Sequence, residues 1–170
     1  MLSSQVINPY RFASAGGLVW DPAQLTNCTL SDSDKTATGD RSGVNWGDGT
    51  ITTTAETDIY FKIIAGYTMC VWNNNSTHSG LTYGTTIGYY FQGSGGSYAI
   101  ESWGNSHAID TATTWTATDV FHMSLTDTSG TKLYKNDVLI DTNEVTALSE
   151  PRYAVCALKG NGVYAQITLV

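Results

Sequence analysis

An all-β fold, an antiparallel β-sandwich or jelly roll, is what this sequence predicts, on three observations. Apolar and polar residues alternate over short runs, which is the period of a half-buried strand. The runs recur at intervals of about a dozen residues and are bounded by Gly, Asn and Ser clusters that supply turn chemistry. No stretch carries the helical period, so the sheets must pack on each other rather than on helices.

The chain begins with a segment of different character. Pro9 and the run Ala13-Ser14-Ala15-Gly16-Gly17 interrupt any strand, so residues 1–16 read as an arm or tether and 17–170 as the sandwich domain. In Asp58 to Ala65, Ile59, Phe61, Ile63 and Ala65 share one face while Tyr60 and Lys62 take the other. Tyr67 to Trp72, Ile87 to Phe91 and Ser97 to Ser102 follow as further strands. Phe121, Met123 and Leu125 then point inward, with His122 and Ser124 outward. Leu133-Tyr134-Lys135 and Val138-Leu139-Ile140 flank Asn136-Asp137, a two-residue hairpin signal that sets Tyr134 opposite Leu139. Tyr153 to Leu158 is apolar on both faces, as a strand buried on both sides must be. Gly162 to Leu169 closes the sheet with Val163, Ala165, Ile167 and Leu169 inward.

At 170 residues the chain is long enough for one core without disulfides or metals. The formal net charge of -7 repels a phosphate backbone and anionic lipid, which excludes nucleic acid and membrane insertion as expected partners. No apolar run approaches the ~18 residues of a membrane span. Cys28, Cys70 and Cys156 are widely spaced and outside any Cys-x-x-Cys pair, so they read as small buried hydrophobes. The N-terminal residues carry neither a basic nor an apolar signal region, so folding in a reducing cytoplasm is expected and the sequons at Asn27 and Asn75 are read as chance.

Catalytic chemistry finds no foothold in the spacing. A retaining glycosidase needs two carboxyl groups about 5 to 5.5 Å apart. Here Glu101 stands alone, Glu56 and Asp58 flank a strand start, and Glu144 and Glu150 lie in a loop. His78, His107 and His122 have no zinc spacing. No Gly-x-Ser-x-Gly elbow occurs, and Gln92 to Ser97 reads as a flexible hairpin tip rather than a phosphate cradle. Asp40 and Asp48 lie among glycines without the spacing of a calcium loop. The chain is therefore expected to be no enzyme and to carry no metal or cofactor.

Two stretches carry a resemblance: Val19-Trp20-Asp21-Pro22 followed by Thr29-Leu30-Ser31 and Lys35-Thr36-Ala37-Thr38, and later Lys132 to Ile140. Together they resemble the SPRY-like and concanavalin A-like jelly-roll domains of phage and other viral virion proteins, over about Leu18 to Val170. Where that pattern has glycine after the asparagine, this chain has Asp137, which adopts positive φ less easily. The resemblance implies a non-catalytic virion protein, a capsid decoration or tail-fibre head domain. Its arm, through Val6, Ile7, Pro9, Tyr10, Arg11 and Phe12, would dock on other virion proteins. The expected location is the virion after folding in the host cytoplasm, and a symmetric homo-oligomer is expected, with a trimer as the working assumption.

The alternative is a glycan-binding module. Sugar recognition combines an aromatic platform with amides and hydroxyls that match the ring hydroxyls. Trp72-Asn73-Asn74-Asn75-Ser76-Thr77-His78 and Trp103-Gly104-Asn105-Ser106-His107 have that composition, with Trp46 and Tyr83 able to extend either patch. The candidate ligand residues are Trp72, Asn73, Asn74, Asn75, His78, Trp103, Asn105 and His107.

Overall fold

In a computed structural model, two antiparallel sheets face each other across one main core, as the alternating runs predict. The structure describes residues 17–39, 48–73, 86–94, 97–103, 114–126, 130–144, 152–159 and 164–170. Residues 1–16, and with them Val6, Ile7, Pro9, Tyr10, Arg11 and Phe12, lie outside the described residues. The described strands are β1 (Cys28–Ser31), β2 (Thr36–Gly39), β3 (Asp48–Ile51), β4 (Asp58–Ala65), β5 (Tyr67–Asn73) and β6 (Ile87–Ser94), then β7 (Ser97–Trp103), β8 (Phe121–Thr126), β9 (Gly130–Lys135), β10 (Val138–Glu144), β11 (Tyr153–Lys159) and β12 (Ala165–Leu169). One sheet has seven strands in the order β1-β2-β12-β4-β8-β9-β10, and the other has five in the order β3-β11-β5-β6-β7.

The expected inward faces are the observed ones except at Ala65, which is only half-buried and stands opposite Gln166 where a register shift interrupts the β4-β12 pairing. Ile59, Phe61 and Ile63 of β4, Phe121 and Met123 of β8, and Ala165, Ile167 and Leu169 of β12 are all buried in the main core. Phe61 and Phe121, 5.7 Å apart between ring centroids, meet Phe91 of β6 from the opposite sheet at 5.7 and 4.8 Å. A buried Phe contributes about 1.5–3 kcal/mol of apolar transfer, so this trio is a principal tie between the sheets. Val163 lies outside the described residues, and β12 begins at Ala165.

The five-stranded sheet is buried on both faces at its centre. Ala154, Cys156 and Leu158 of β11 enter the main core, whereas Val155 and Ala157 join Ile51, Met69 and Val71 in a second apolar cluster on the sheet's other side. This is the two-sided burial expected for Tyr153 to Leu158.

Between β4 and β5 the chain passes from one sheet to the other through a single residue. β4 ends at Ala65 and β5 starts at Tyr67, so Gly66 alone makes the corner, at φ +74°. A Cβ there would lie 2.4 Å from the Tyr164 carbonyl oxygen and 2.6 Å from Ala165 Cα, so the corner needs glycine for its conformation and for its space.

The hairpin expected at Asn136-Asp137 is present, with Leu139 opposite Tyr134. Both turn residues have positive φ, 50° and 67°, the signature of a type I′ turn. Aspartate in the usual glycine position therefore leaves the turn class intact. The resemblance motifs are structural too. Thr29-Leu30-Ser31 and Thr36-Ala37-Thr38 pair as the β1-β2 hairpin, and Trp20 is fully buried with its amide donating to the Asp34 carbonyl at 2.8 Å.

One expectation is corrected here. Gln92, Gly93, Ser94 and Ser97 are strand rather than tip, pairing with Ala99, Tyr98 and each other as the continuation of the β6-β7 hairpin, while Gly95 and Gly96 lie outside the described residues. Gly93 is required there by packing: a Cβ would meet Trp115 Cζ2 at 2.5 Å.

Candidate functional site

Strand phase decides where each nominated side chain points. In β5, Thr68, Cys70 and Trp72 share the inward face, and Trp72 is fully buried with its indole N–H donating to Thr131 Oγ1 at 3.2 Å. Trp72 is thus no sugar platform but a core tie between β5 and β9. Asn73 is also buried, opposite Tyr153 on β11, and is not a loop ligand. Asn74, Asn75, His78, Asn105 and His107 lie outside the described residues, as do Trp46, Tyr83 and the Trp103 side chain. Asp48, weighed as a calcium ligand, is a buried residue of β3 that accepts from the Asn27 side-chain amide at 3.0 Å. Among the described residues no group of three or more His, Cys, Asp or Glu is arranged to hold a metal ion.

Around Trp72 a buried polar seam runs between the sheets. Thr131 Oγ1 donates onward to the Ser124 carbonyl at 3.1 Å, and the Tyr89 hydroxyl donates to the Thr131 carbonyl at 3.1 Å. The Asn143 side-chain amide reaches the Gly88 carbonyl at 3.3 Å. Burial, then the nearby Asp141 carboxylate, pushes the Tyr89 phenol far above its usual range, so it stays a neutral donor. Asp141 and Asn143 belong to β10, an edge strand, and inward polar groups on an edge discourage pairing with a foreign strand.

A feature that single-strand reading does not reveal lies on the outer face of the seven-stranded sheet. Register sets Tyr60 of β4 opposite His122 of β8, and His122 opposite Tyr134 of β9. The rings stack: Tyr60 and His122 are 4.2 Å apart with 5° between planes, and His122 and Tyr134 are 5.1 Å apart with 20°. Strands are spaced about 4.8 Å apart, so rings stacked from strand to strand stand on edge, and edges rather than faces meet solvent. Leu139 of β10 continues the row beyond Tyr134 and is 48% exposed. At the other end Val170, whose amide donates to the Tyr60 carbonyl at 3.0 Å, is 61% exposed.

Polar groups flank the row. His122 Nε2 donates to Asp58 Oδ1 at 2.8 Å, because an ionised carboxylate can only accept. The His122 contact, with further bonds from Ser124 and Thr57, holds the Asp58 carboxyl below the usual carboxylate range against the opposing effect of partial burial. Ser124 and Lys132 stand opposite Asp58 in the next two strands. Ser124 also binds the Asp58 carboxylate. Asp58 is also the lone carboxylate in the sequences of β2, β4, β8, β9 and β12, so these described strands present no acid-base pair.

The hairpin beside the row is fixed from below. Asn136 gives its side-chain amide to Asp119 Oδ1 at 2.8 Å and accepts from the Val120 amide at 3.0 Å. Lys135 pairs with Asp119 at 3.2 Å and donates to the Thr114 carbonyl. Burial works to raise the Asp119 pKa, but bonds from Asn136, the Thr116 amide and Lys135 outweigh it and the carboxyl is held below its ordinary range. Trp115, in the same lead-in segment, is buried and donates to the Gln92 carbonyl at 3.0 Å, anchoring the hairpin to the five-stranded sheet. No motif in the sequence marks Trp115 or Asp119, since their role depends on contacts between distant segments.

No family model matches the chain, and no curated protein matches it. Its fold does match solved structures. The SPRY domain of human HERC1 aligns at TM-score 0.59 and 12% identity, covering 88% of this chain and 96% of that one. The TRIM65 PSpry domain aligns at TM-score 0.59 and 12% identity, covering 90% and 89%. Stonustoxin aligns at TM-score 0.58 and 14% identity over 90% of this chain, which spans 27% of the toxin chain. At these identities the likeness concerns fold alone, a jelly-roll β-sandwich of two antiparallel sheets.

Proposed function

We propose that this protein is a non-catalytic interaction module that takes a partner protein on the outer face of its seven-stranded sheet. The observation that carries the reading is the row Val170, Tyr60, His122, Tyr134 and Leu139, an aromatic stack with exposed aliphatic ends. Tyr-rich patches with apolar anchors and a polar rim have the composition of protein interfaces, and the rings' edge-on stance suits a protein better than the flat face of a sugar ring. Asp58, Ser124 and Lys132 would supply the rim.

The proposal extends to a virion component, a decoration or fibre-head domain attached through residues 1–16. That part is supported by the sequence resemblance. The glycan reading loses support from the burial of Trp72 and Asn73.

A photo-cross-linking residue placed at position 139 or 170, with a control at exposed Thr54, tests the surface in an extract of the source organism. Adducts to one protein species from 139 and 170 but not from 54 are expected. Equal labelling at all three sites would remove the assignment. Co-sedimentation with virus particles from the same source, with and without residues 1–16, tests the virion reading separately.

A further inference from the structure

The three cysteines, far apart in sequence, converge. Cys70 of β5 and Cys156 of β11 are directly opposed, both on the inward face and both fully buried. Cys28 packs against the same core, and it and Cys70 both act electrostatically on Cys156.

Hydrogen-bond phase shows what kind of pair Cys70 and Cys156 make. The Thr52 amide donates to the Ala154 carbonyl at 2.8 Å, so Ala154 turns its peptide groups toward β3, and Cys156, two residues on and opposite Thr50, does the same. On its β5 side Cys156 therefore occupies a non-hydrogen-bonded position. Cys70 agrees: its carbonyl oxygen lies 2.3 Å from where a Cβ on Gly88 of β6 would stand, so its peptide groups face β6 and not β11. Residues paired this way have Cα atoms about 4.5 Å apart, inside the ~4.4–6.8 Å span a disulfide can bridge.

We propose that Cys70 and Cys156 are a latent cross-strand disulfide site, closed by a small-molecule disulfide while the chain folds and sealed between the sheets once they pack. In the first step one cysteine thiolate attacks the external disulfide, forming a mixed disulfide and expelling a thiolate that takes up the proton the cysteine lost. In the second, the other cysteine thiolate attacks the protein sulfur of that mixed disulfide and expels the second thiolate, again with its proton. Two protein thiols and one external disulfide become one protein disulfide and two external thiols, with two electrons passing to the oxidant. Closure belongs to folding because burial pushes both thiols up and leaves almost no thiolate in the folded protein. Cys28, partly exposed, is left reduced.

The test is refolding of the denatured full chain in mixed oxidised and reduced glutathione, beside refolding in dithiothreitol, followed by alkylation and peptide mapping. The expected result is a folded species in which Cys70 and Cys156 are linked and Cys28 is alkylated, with a denaturation midpoint above the reduced form that dithiothreitol reverses. Cys28→Ser should form the same link. A folded species with three alkylated thiols, a dominant link that includes Cys28, or a Cys70-Cys156 link confined to misfolded chains would each overturn the proposal. The mapping is made on the native sequence, so the outcome does not depend on a variant that folds.

Discussion

Replacing Gly66 by alanine attacks the single-residue corner between the two sheets. The residue sits at φ +74°, where a side chain costs about 1–2 kcal/mol. The new methyl group would also stand 2.4 Å from the Tyr164 carbonyl oxygen and 2.6 Å from Ala165 Cα, which are backbone atoms at the head of β12. Relieving such an overlap in a packed region costs about 1–3 kcal/mol, because β12 cannot retreat without breaking its ladder to β4. The two effects together come to about 2–5 kcal/mol. At about 2–4 °C per kcal/mol for a chain of this size, that is a fall of about 4–20 °C in melting temperature. Urea denaturation followed by tryptophan fluorescence measures it, with Gly17→Ala as control, since a Cβ there meets only the Lys35 side chain at 3.7 Å. A Gly66→Ala protein within about 0.5 kcal/mol of the parent, the range of ordinary surface changes, would refute the corner geometry.

Other changes probe the rest of the scaffold. Asp137→Gly should be neutral or stabilise by up to about 1 kcal/mol, because the turn holds that residue at φ 67°; clear destabilisation in urea melts would contradict the turn assignment. Asn136→Ala should cost about 2–3 kcal/mol, combining the positive φ with loss of the bonds to Asp119 and Val120, and Asn136→Gly should cost less by about 1 kcal/mol. Gly93→Ala should destabilise strongly in the parent and less in a Trp115→Leu background, and strict additivity in that double-mutant cycle would rule out their contact. Asp58 has a folded pKa below its unfolded one, so its contribution is present above about pH 4 and is lost as pH falls through the folded value. The group is half exposed, so solvent screening holds the effect below about 1 kcal/mol. In urea melts, Asp58→Asn should therefore lie slightly below the parent at pH 5 and meet it in stronger acid, and a gap that widens on acidification would reverse the sign of the argument.

The strands whose inward and outward sets differ in polarity were legible in the sequence. β4, β8, β12 and the β9-β10 hairpin are of this kind, and their faces are as expected apart from Ala65, where a register shift against β12 breaks the alternation. β5 is not. Met69 and Val71 are as apolar as Cys70 and Trp72, because both faces of that strand are buried, so polarity alone could not say which way Trp72 points. Its place at a strand end beside asparagines suggested a loop platform, whereas its phase with Cys70 puts it in the core. β1, β2 and β3 are four residues each and rich in Thr and Gly, too short and too polar for alternation to mark them. Tyr60 and His122 were each read correctly as outward, yet the row they form with Tyr134 exists only through the registers of three strands, of which β4 and β8 are far apart in sequence. Local pattern finds faces, and only pairing finds what stands side by side on them.

The most direct test of the central claim is the affinity of the partner captured at positions 139 and 170 for Leu139→Asp, Val170→Asp and Thr54→Asp proteins, measured by calorimetry on variants shown to melt like the parent. A charge driven into an interface anchor should weaken binding about tenfold or more, roughly 1.4 kcal/mol or above, at 139 and 170 and leave 54 unchanged. Equal affinities for all three variants would show that the partner does not sit on the aromatic row.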